Sequence, residues 1–439
     1  MMLDRREMRA QIQKELLEKH KVPLVSFSMN IAGPVKSSDI IITAFFCGLR
    51  QIKGAFKMKG ILAREEIVQL LPTGPEAFFS VDYPAYEIKE LAVDIEENST
   101  GGRLFDIDVI GVDGLKVERC SIGFEERKCL ICDNEVKVCS SRRLHSLSQL
   151  KSATDCLLDL CFRKHCDYVA SLAVKALLYE VCATPKPGLV DRNNSGSHID
   201  MDFYSFLDGS GCLFSYFSKA CSIGFSCKNP YECFALLKKA GKEAEKDMFF
   251  STCGVNTHKG AVYTMGILVC AAAIAGIEER KNTDLILDIC RKMTKGTCEK
   301  ELENALLSGN CTTGGEKAFS LYKVTGIRGE VENGLPSVKT GLEILEKELS
   351  DGKSNDDASA SALLTVMTVL RDTCLISRGG PDAEEFARKK ALDILAIEGE
   401  KSNYIKQMDE EFISRNLSPG GCADMLAACW FLHFLKEAL

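Results

Sequence analysis

Gly101-Gly102-Arg103-Leu104-Phe105-Asp106-Ile107-Asp108-Val109-Ile110 alternates charged and apolar side chains behind a glycine pair, the period-2 pattern of a half-buried strand. Successive strand side chains face opposite ways, so Asp106 and Asp108 share one face while Ile107 and Val109 enter a core. Working outward, residues 23–31, 77–81, 85–93 and 117–121 also read as strands. Residues 3–20 and 38–53 read as helices, the second capped by Ser37 or Ser38. This part of the chain is expected to be α+β. After Cys166 no alternation recurs, and helical periodicity takes over at 167–183, 202–223, 231–247, 261–277, 285–295, 337–348, 358–370, 383–398 and 420–435. The second part is expected to be all-α.

A chain of 439 residues is too long for one ordinary core. The change of pattern divides it into a first domain over 1–150, a linker over 151–165 and a second domain over 166–439. Charged residues make up 27% and apolar residues 46%, the composition of a soluble globular protein. A net charge of -7 argues against nucleic acid as a partner, so any phosphate ligand must meet local basic clusters. Residues 1–21 form a charged amphipathic stretch without the apolar centre of a signal peptide. The apolar run 261–277 carries Tyr263 and Thr264 and reads as a buried helix rather than a membrane span. A cytoplasmic protein without a membrane partner is expected. Its 21 cysteines are odd in number and scattered, which fits reduced, buried thiols better than a disulfide framework.

Five polar, glycine-bearing segments punctuate the helical part: Thr184-Pro185-Lys186-Pro187-Gly188-Leu189-Val190-Asp191, Gly254-Val255-Asn256-Thr257-His258-Lys259-Gly260, Gly326-Ile327-Arg328-Gly329-Glu330, Arg378-Gly379-Gly380 and Ser418-Pro419-Gly420-Gly421-Cys422-Ala423-Asp424. Glycine admits close backbone approach, and N–H groups at helix starts cradle phosphate oxygens. Lys186, Lys259, Arg328 and Arg378 add positive charge in the same segments, so a polyanion site is expected. Asp200 and Asp202 form a second carboxylate pair behind Asp191 and Asn194, and Glu245, Glu316 and Glu330 supply further acids. Thr312-Thr313-Gly314-Gly315-Glu316 belongs with them. This mixture suits Mg2+-assisted handling of a phosphate ester. Taken singly, His258 reads equally as a cap or core residue, and Asp200 and Asp202 as the start of a helix.

In the first domain, the repulsion between Asp106 and Asp108 is relieved by a divalent cation, and Mg2+ bound by one or two carboxylates plus substrate phosphates fits. The alternative is a solvated strand face. Cys129-x2-Cys132-x6-Cys139-x5-His145 has the residue types of a tetrahedral Cys3His zinc site, against the alternative of reduced, unliganded thiols in a cysteine-rich chain.

The five segments, with His198-Ile199-Asp200-Met201-Asp202-Phe203, resemble those of triphosphoribosyl-dephospho-coenzyme A synthases. The first domain resembles apo-citrate lyase phosphoribosyl-dephospho-coenzyme A transferases through Pro23-Leu24-Val25-Ser26-Phe27, Asn30-Ile31, Gly33-Pro34-Val35-Lys36, Gly102 to Val109 and the cysteine-rich segment. The resemblance implies a nucleotidyltransferase-like first domain fused to an all-α synthase. It further implies that the second domain joins ATP to 3'-dephospho-coenzyme A with release of adenine. The first domain would then transfer the product to a serine of the citrate lyase acyl carrier protein, releasing pyrophosphate. On this reading Asp191, Asp200 and Asp202 hold Mg2+ or activate the hydroxyl, and His258, Glu330 and Asp424 join them as catalytic candidates. Lys186, Gly188, Asn256, Lys259, Arg328, Arg378, Gly379, Gly420 and Gly421 would bind phosphate or nucleotide. In the first domain Asp106 and Asp108 would hold Mg2+, with Arg103 and Lys36 near the triphosphate. Two positions depart from the expected pattern, Cys374 in place of Asn and Cys422 in place of Ser, both small changes in volume.

Three rival readings carry different signatures. An ATP-dependent small-molecule kinase would release ADP, although no Gly-x4-Gly-Lys-Ser/Thr loop is present. A helical scaffold would release nothing. Malonate decarboxylase maturation uses the same prosthetic group, and the first domain's signature favours citrate lyase.

Overall fold

The expected strand at the glycine pair is the edge of a small sheet in the computed structural model, which describes residues 2–307 and 313–438. Thr312 therefore lies outside the described residues. The chain divides into one unit through His165 and another from Cys166 to Ala438.

The first unit runs α1 (Met2–His20), β1 (Leu24–Met29), α2 (Asp39–Met58), β2 (Ala63–Gln69), β3 (Glu76–Val81), α3 (Ala85–Asn98), β4 (Phe105–Ile110) and α4 (Val136–Arg142). The four strands pair antiparallel in the order β2-β3-β1-β4. One sheet face buries aromatic rings against the helices: Phe27 stacks on Phe45 at 4.8 Å, and Phe79 meets Phe56 edge-on at 5.8 Å. On the other face Leu16 of α1 packs with Leu24, Phe78 and Ile110. That same face carries a polar row, because Ser28 lies opposite Asp106 and Ser26 opposite Asp108.

Two expected strands fail here for local reasons. Residues 85–93, read as a strand, begin helix α3: Ile88, Ala92, Val93 and Ile95 recur at helical spacing and are all buried. Residues 117–121 form no strand, since a 3-10 turn starts at Arg119, whose guanidinium bonds Glu96 and Glu97. Strand β2 went unread because it is a charged, largely exposed edge, Ala-Arg-Glu-Glu-Ile-Val-Gln. Ser38 does stand at the start of α2, but its side chain makes no capping bond.

A 36-residue helix, α5 (Leu147–Cys182), contains the whole of the expected linker 151–165. The second unit continues with α6 (Phe203–Cys212), α7 (Phe214–Cys227), α8 (Pro230–Ser251), α9 (Lys259–Ala275), α10 (Thr283–Thr294) and α11 (Cys298–Leu307). Then come α12 (Gly314–Tyr322), α13 (Gly326–Glu332), α14 (Pro336–Ser350), α15 (Asn355–Val369), α16 (Thr373–Leu395), α17 (Ser402–Ser414) and α18 (Gly420–Glu437). No strand occurs among its described residues. The stretch 202–223, read as one helix, breaks into α6 and α7 at Leu213, and 326–330, read as a joint, forms the first turns of α13.

Helices α9 and α18 are buried on nearly every side and pack against each other, which fixes where their N-termini emerge. Close approach is built into α9: the Tyr216 hydroxyl donates to the Val262 carbonyl at 3.1 Å, and a Cβ at Gly266 would lie 1.9 Å from that hydroxyl oxygen. Among the described residues no single helix is long and apolar enough to cross a membrane.

Candidate active sites

In the second unit a cavity of about 370 Å3 is lined from the loop after α5, the 198–201 turn and the starts of α9, α12 and α18. Lys186, His198, Asp200, Asn256, His258, Lys259, Arg378, Gly420 and Asp424 all line it, so residues far apart in sequence meet in one place. Asn256 accepts the N–H of Lys259 at 3.2 Å and so shapes the entry to α9. The starts of α9, α12 and α18 all reach this cavity, so the positive ends of three helix dipoles converge on it and favour an anion.

Asp424 sits over the start of α9 and accepts from the N–H of Ala261. Burial pushes its carboxyl well above the usual range, and the charges of Glu180 and Asp372 raise it further. The fit is close: a Cβ on Gly260 would lie 2.0 Å from Asp424 Oδ2. Lys186, also buried, bonds the Glu180 carboxylate and donates to the Glu180 carbonyl at 2.8 Å. Burial raises the Glu180 carboxyl while Lys186 opposes it. His258 bonds the hydroxyls of Thr257 at 2.9 Å and Ser210 at 3.2 Å. Burial, aided by the charge of Lys186, brings its imidazole down to about 3, so it is neutral at physiological pH. Arg378 donates to the Ser197 carbonyl at 2.9 Å and to the Asn416 side chain at 2.8 Å, and its other nitrogen lies 3.3 Å from His198 Nδ1. It therefore fixes the turn that carries His198 and Asp200.

Several expected residues stand outside this cavity. Asp191 is buried and accepts three backbone N–H groups, from Lys186, Asn193 and Asn194. Asp202 caps α6 through Ser205, whose N–H leads the interactions that lower its carboxyl, so Asp200 and Asp202 do not face the cavity as a pair. Glu330 accepts the N–H of Ser337 at 2.7 Å, and Arg328 lies 4.0 Å from Glu316. Gly188 takes φ +68 where a Cβ would meet the Leu417 carbonyl oxygen at 2.2 Å. Gly379 precedes a break in α16 at Gly380, and Gly421 packs against Asp372. Three buried acids were not anticipated. Glu180 neutralises Lys186, Asp409 accepts the N–H of Gly188 at 2.8 Å, and Asp372 accepts those of Cys374 at 2.7 Å and Cys422 at 2.9 Å. Of the two departures from the expected pattern, Cys374 lines the cavity and Cys422 is fully buried.

The first unit has a cavity of about 560 Å3 lined by Lys36, Arg103, Arg127, Lys128 and Arg143 together with Cys129, Cys139 and His145. Arg103 donates to the carbonyls of Lys128 and Cys129, both at 2.7 Å, and Lys36 donates to the Ile31 carbonyl. Asp106 lies 3.8 Å from Arg127 and Asp108 2.6 Å from Lys116. Burial raises the Asp106 carboxyl, and the like charge of Asp108 raises it further. That residual repulsion between neighbouring carboxylates is what a bound divalent cation would remove.

The family model described as ATP:dephospho-CoA triphosphoribosyl transferase matches residues 166–439, and that described as apo-citrate lyase phosphoribosyl-dephospho-CoA transferase matches residues 1–160. Protein CitXG of Leuconostoc mesenteroides subsp. cremoris is 33% identical, covering 100% of this chain and 97% of its own length. Protein CitXG of Haemophilus influenzae is 30% identical over 99% of this chain and 95% of its own. The 2-(5''-triphosphoribosyl)-3'-dephosphocoenzyme-A synthase of Klebsiella pneumoniae is 35% identical over 60% of this chain and 89% of its own.

Proposed function

This chain belongs to the CitXG family of fused transferases, and from that premise we propose that it matures citrate lyase in two steps. The second unit joins ATP to 3'-dephospho-coenzyme A, releasing adenine, and the first unit transfers the product to a serine of the apo acyl carrier protein, releasing pyrophosphate. The observation that carries the first step is the meeting of a buried acid, Asp424, whose carboxyl burial pushes upward, with three helix N-termini in one cavity.

The 2'-hydroxyl of the dephospho-coenzyme A ribose attacks C1' of the ATP ribose as the bond to adenine breaks. Adenine leaves poorly as an anion, and Asp424 donates the proton it needs. Asp200, exposed at the edge of the same cavity, takes the proton of the attacking hydroxyl. Lys259, with the positive dipole ends of α9 and α18, holds the triphosphate. Neutral His258 orients Thr257 and Ser210 and adds no charge.

The first unit acts as a nucleotidyltransferase-like module. Asp106 and Asp108 would hold Mg2+ on the polar sheet face, where the ion would draw charge from the α-phosphate under attack by the carrier serine. Arg103, Arg127 and Lys36 present positive charge to the departing pyrophosphate from the neighbouring cavity.

Incubating the protein with ATP, Mg2+ and 3'-dephospho-coenzyme A should release adenine only when both substrates are present. Adding apo acyl carrier protein should then yield the modified carrier, read by its mass. Asp106→Asn and Asp108→Asn should each slow carrier modification by about 100-fold, the worth of a few kcal/mol of charge stabilisation, and leave adenine release unchanged. ADP in place of adenine would overturn the reading.

A further inference from the structure

We propose that Cys129, Cys132, Cys139 and His145 hold a structural zinc ion, and that this ion is what folds the segment framing the cationic cavity of the first unit. The ligand atoms of these four residues all lie within 4.8 Å of one another. Cys132 Sγ is 3.4 Å from Cys139 Sγ and 3.3 Å from His145 Nε2. In a tetrahedral site with Zn–S bonds of about 2.3 Å, ligand atoms are separated by about 3.8 Å, so a small breathing of the cluster admits the ion. Three thiolates and one imidazole are a donor set that suits zinc over the hard cations.

The local chain supports the same conclusion. The N–H of Ile131 points at Cys129 Sγ at 3.5 Å, and the N–H of Cys129 is held by the Asn134 carbonyl at 2.7 Å. This knuckle presents Cys129 and Cys132 on one side, α4 supplies Cys139, and His145 follows two residues after Arg143 turns the chain at φ +49. Sulfur charge in such sites is tuned by backbone N–H donors of this kind.

Packing supplies the independent argument. Between Ser121 and Leu150 the only buried side chains are Cys129 and Cys139, two of the four ligands. Ile131 and Leu144 are exposed, and α4 has only 7 residues. A stretch of this length with no apolar core cannot repay its ordering entropy from burial, whereas a zinc site supplies folding free energy directly. Three thiolates around one zinc leave net negative charge, and Arg127, Lys128 and Arg143 lie on the same stretch. The carbonyls that bind Arg103 belong to Lys128 and Cys129, so the cluster also fixes that cation beside the cavity.

The metal site stands apart from the activity reading; its effect on carrier modification rests on it. The full chain, purified under reducing conditions from zinc-supplemented medium, should carry one equivalent of zinc by elemental analysis. Cys132→Ser and Cys139→Ser should carry none, while Cys120→Ser, an exposed thiol outside the cluster, should keep it. Because a ligand variant could misfold, the unmutated chain stripped by a chelator should also take up one cobalt ion with the absorption of tetrahedral thiolate coordination. Stripped of zinc, freed of chelator and assayed with Mg2+ restored, the chain should fail to modify the carrier while still releasing adenine. A chain that binds neither zinc nor cobalt, or whose mass shows Cys132 oxidised onto Cys139, overturns the site. A zinc-free chain that modifies the carrier at the normal rate overturns its role.

Discussion

Asp424→Asn is expected to slow adenine release by about 100- to 10,000-fold, the usual worth of a positioned proton donor, with carrier modification from pre-formed intermediate unchanged. Asparagine keeps the shape and can still accept the N–H of Ala261, but it has no proton to transfer. The same change is expected to raise the midpoint of thermal unfolding at neutral pH. Because the folded carboxyl lies above its ordinary value, its contribution to stability is fully present below the usual aspartate range and is lost as pH rises through the folded value. The stabilisation by asparagine should therefore vanish at acid pH. A slower, more stable enzyme separates lost chemistry from lost folding. Adenine release by the unmutated protein should itself decline as pH rises through the raised value. Full activity in Asp424→Asn would remove Asp424 from the proton path.

Lys186→Ala is expected to destabilise the protein by about 3–5 kcal/mol, because it leaves the Glu180 carboxylate buried without its partner. The side chains are only 2% and 5% exposed, so water cannot take over the interaction. Chemical denaturation of the Lys186→Ala chain should show the loss at neutral pH and a smaller one in acid, where Glu180 is protonated. Glu180→Gln in the same chain should recover much of it, since a neutral amide costs less to bury than a lone charge. A loss confined to ATP binding, with stability intact, would show that Lys186 meets phosphate and not Glu180.

These two residues also show what the sequence could reveal. Lys186 was legible as a cation in a glycine-bearing joint, but its partner sits inside the unbroken helix α5, where one glutamate among apolar neighbours gives no local signal. Asp409 and Asp372 were missed for a related reason. Each is defined by the backbone N–H groups it accepts, and Asp409 meets Gly188 across 221 residues. Asp106 and Asp108 were readable because strand periodicity alone puts both on one face. The same rule does not extend to Asp200 and Asp202, since a capping bond to Ser205 turns the second acid into the start of α6. Helix α3 was misread because its first residues alternate over a short window, and only the buried set Ile88, Ala92, Ile95 reveals the longer period.

The contact between position 260 and Asp424 gives a way to tell working relatives from retired ones. With 2.0 Å between a would-be Cβ and Asp424 Oδ2, any side chain at 260 must displace the acid or be matched by a shorter residue at 424. The two positions are thus expected to drift together. A homologue that has gained alanine at 260 and lost the acid at 424 would keep its helices packed while having given up adenine release, and could be recognised as such from its sequence alone.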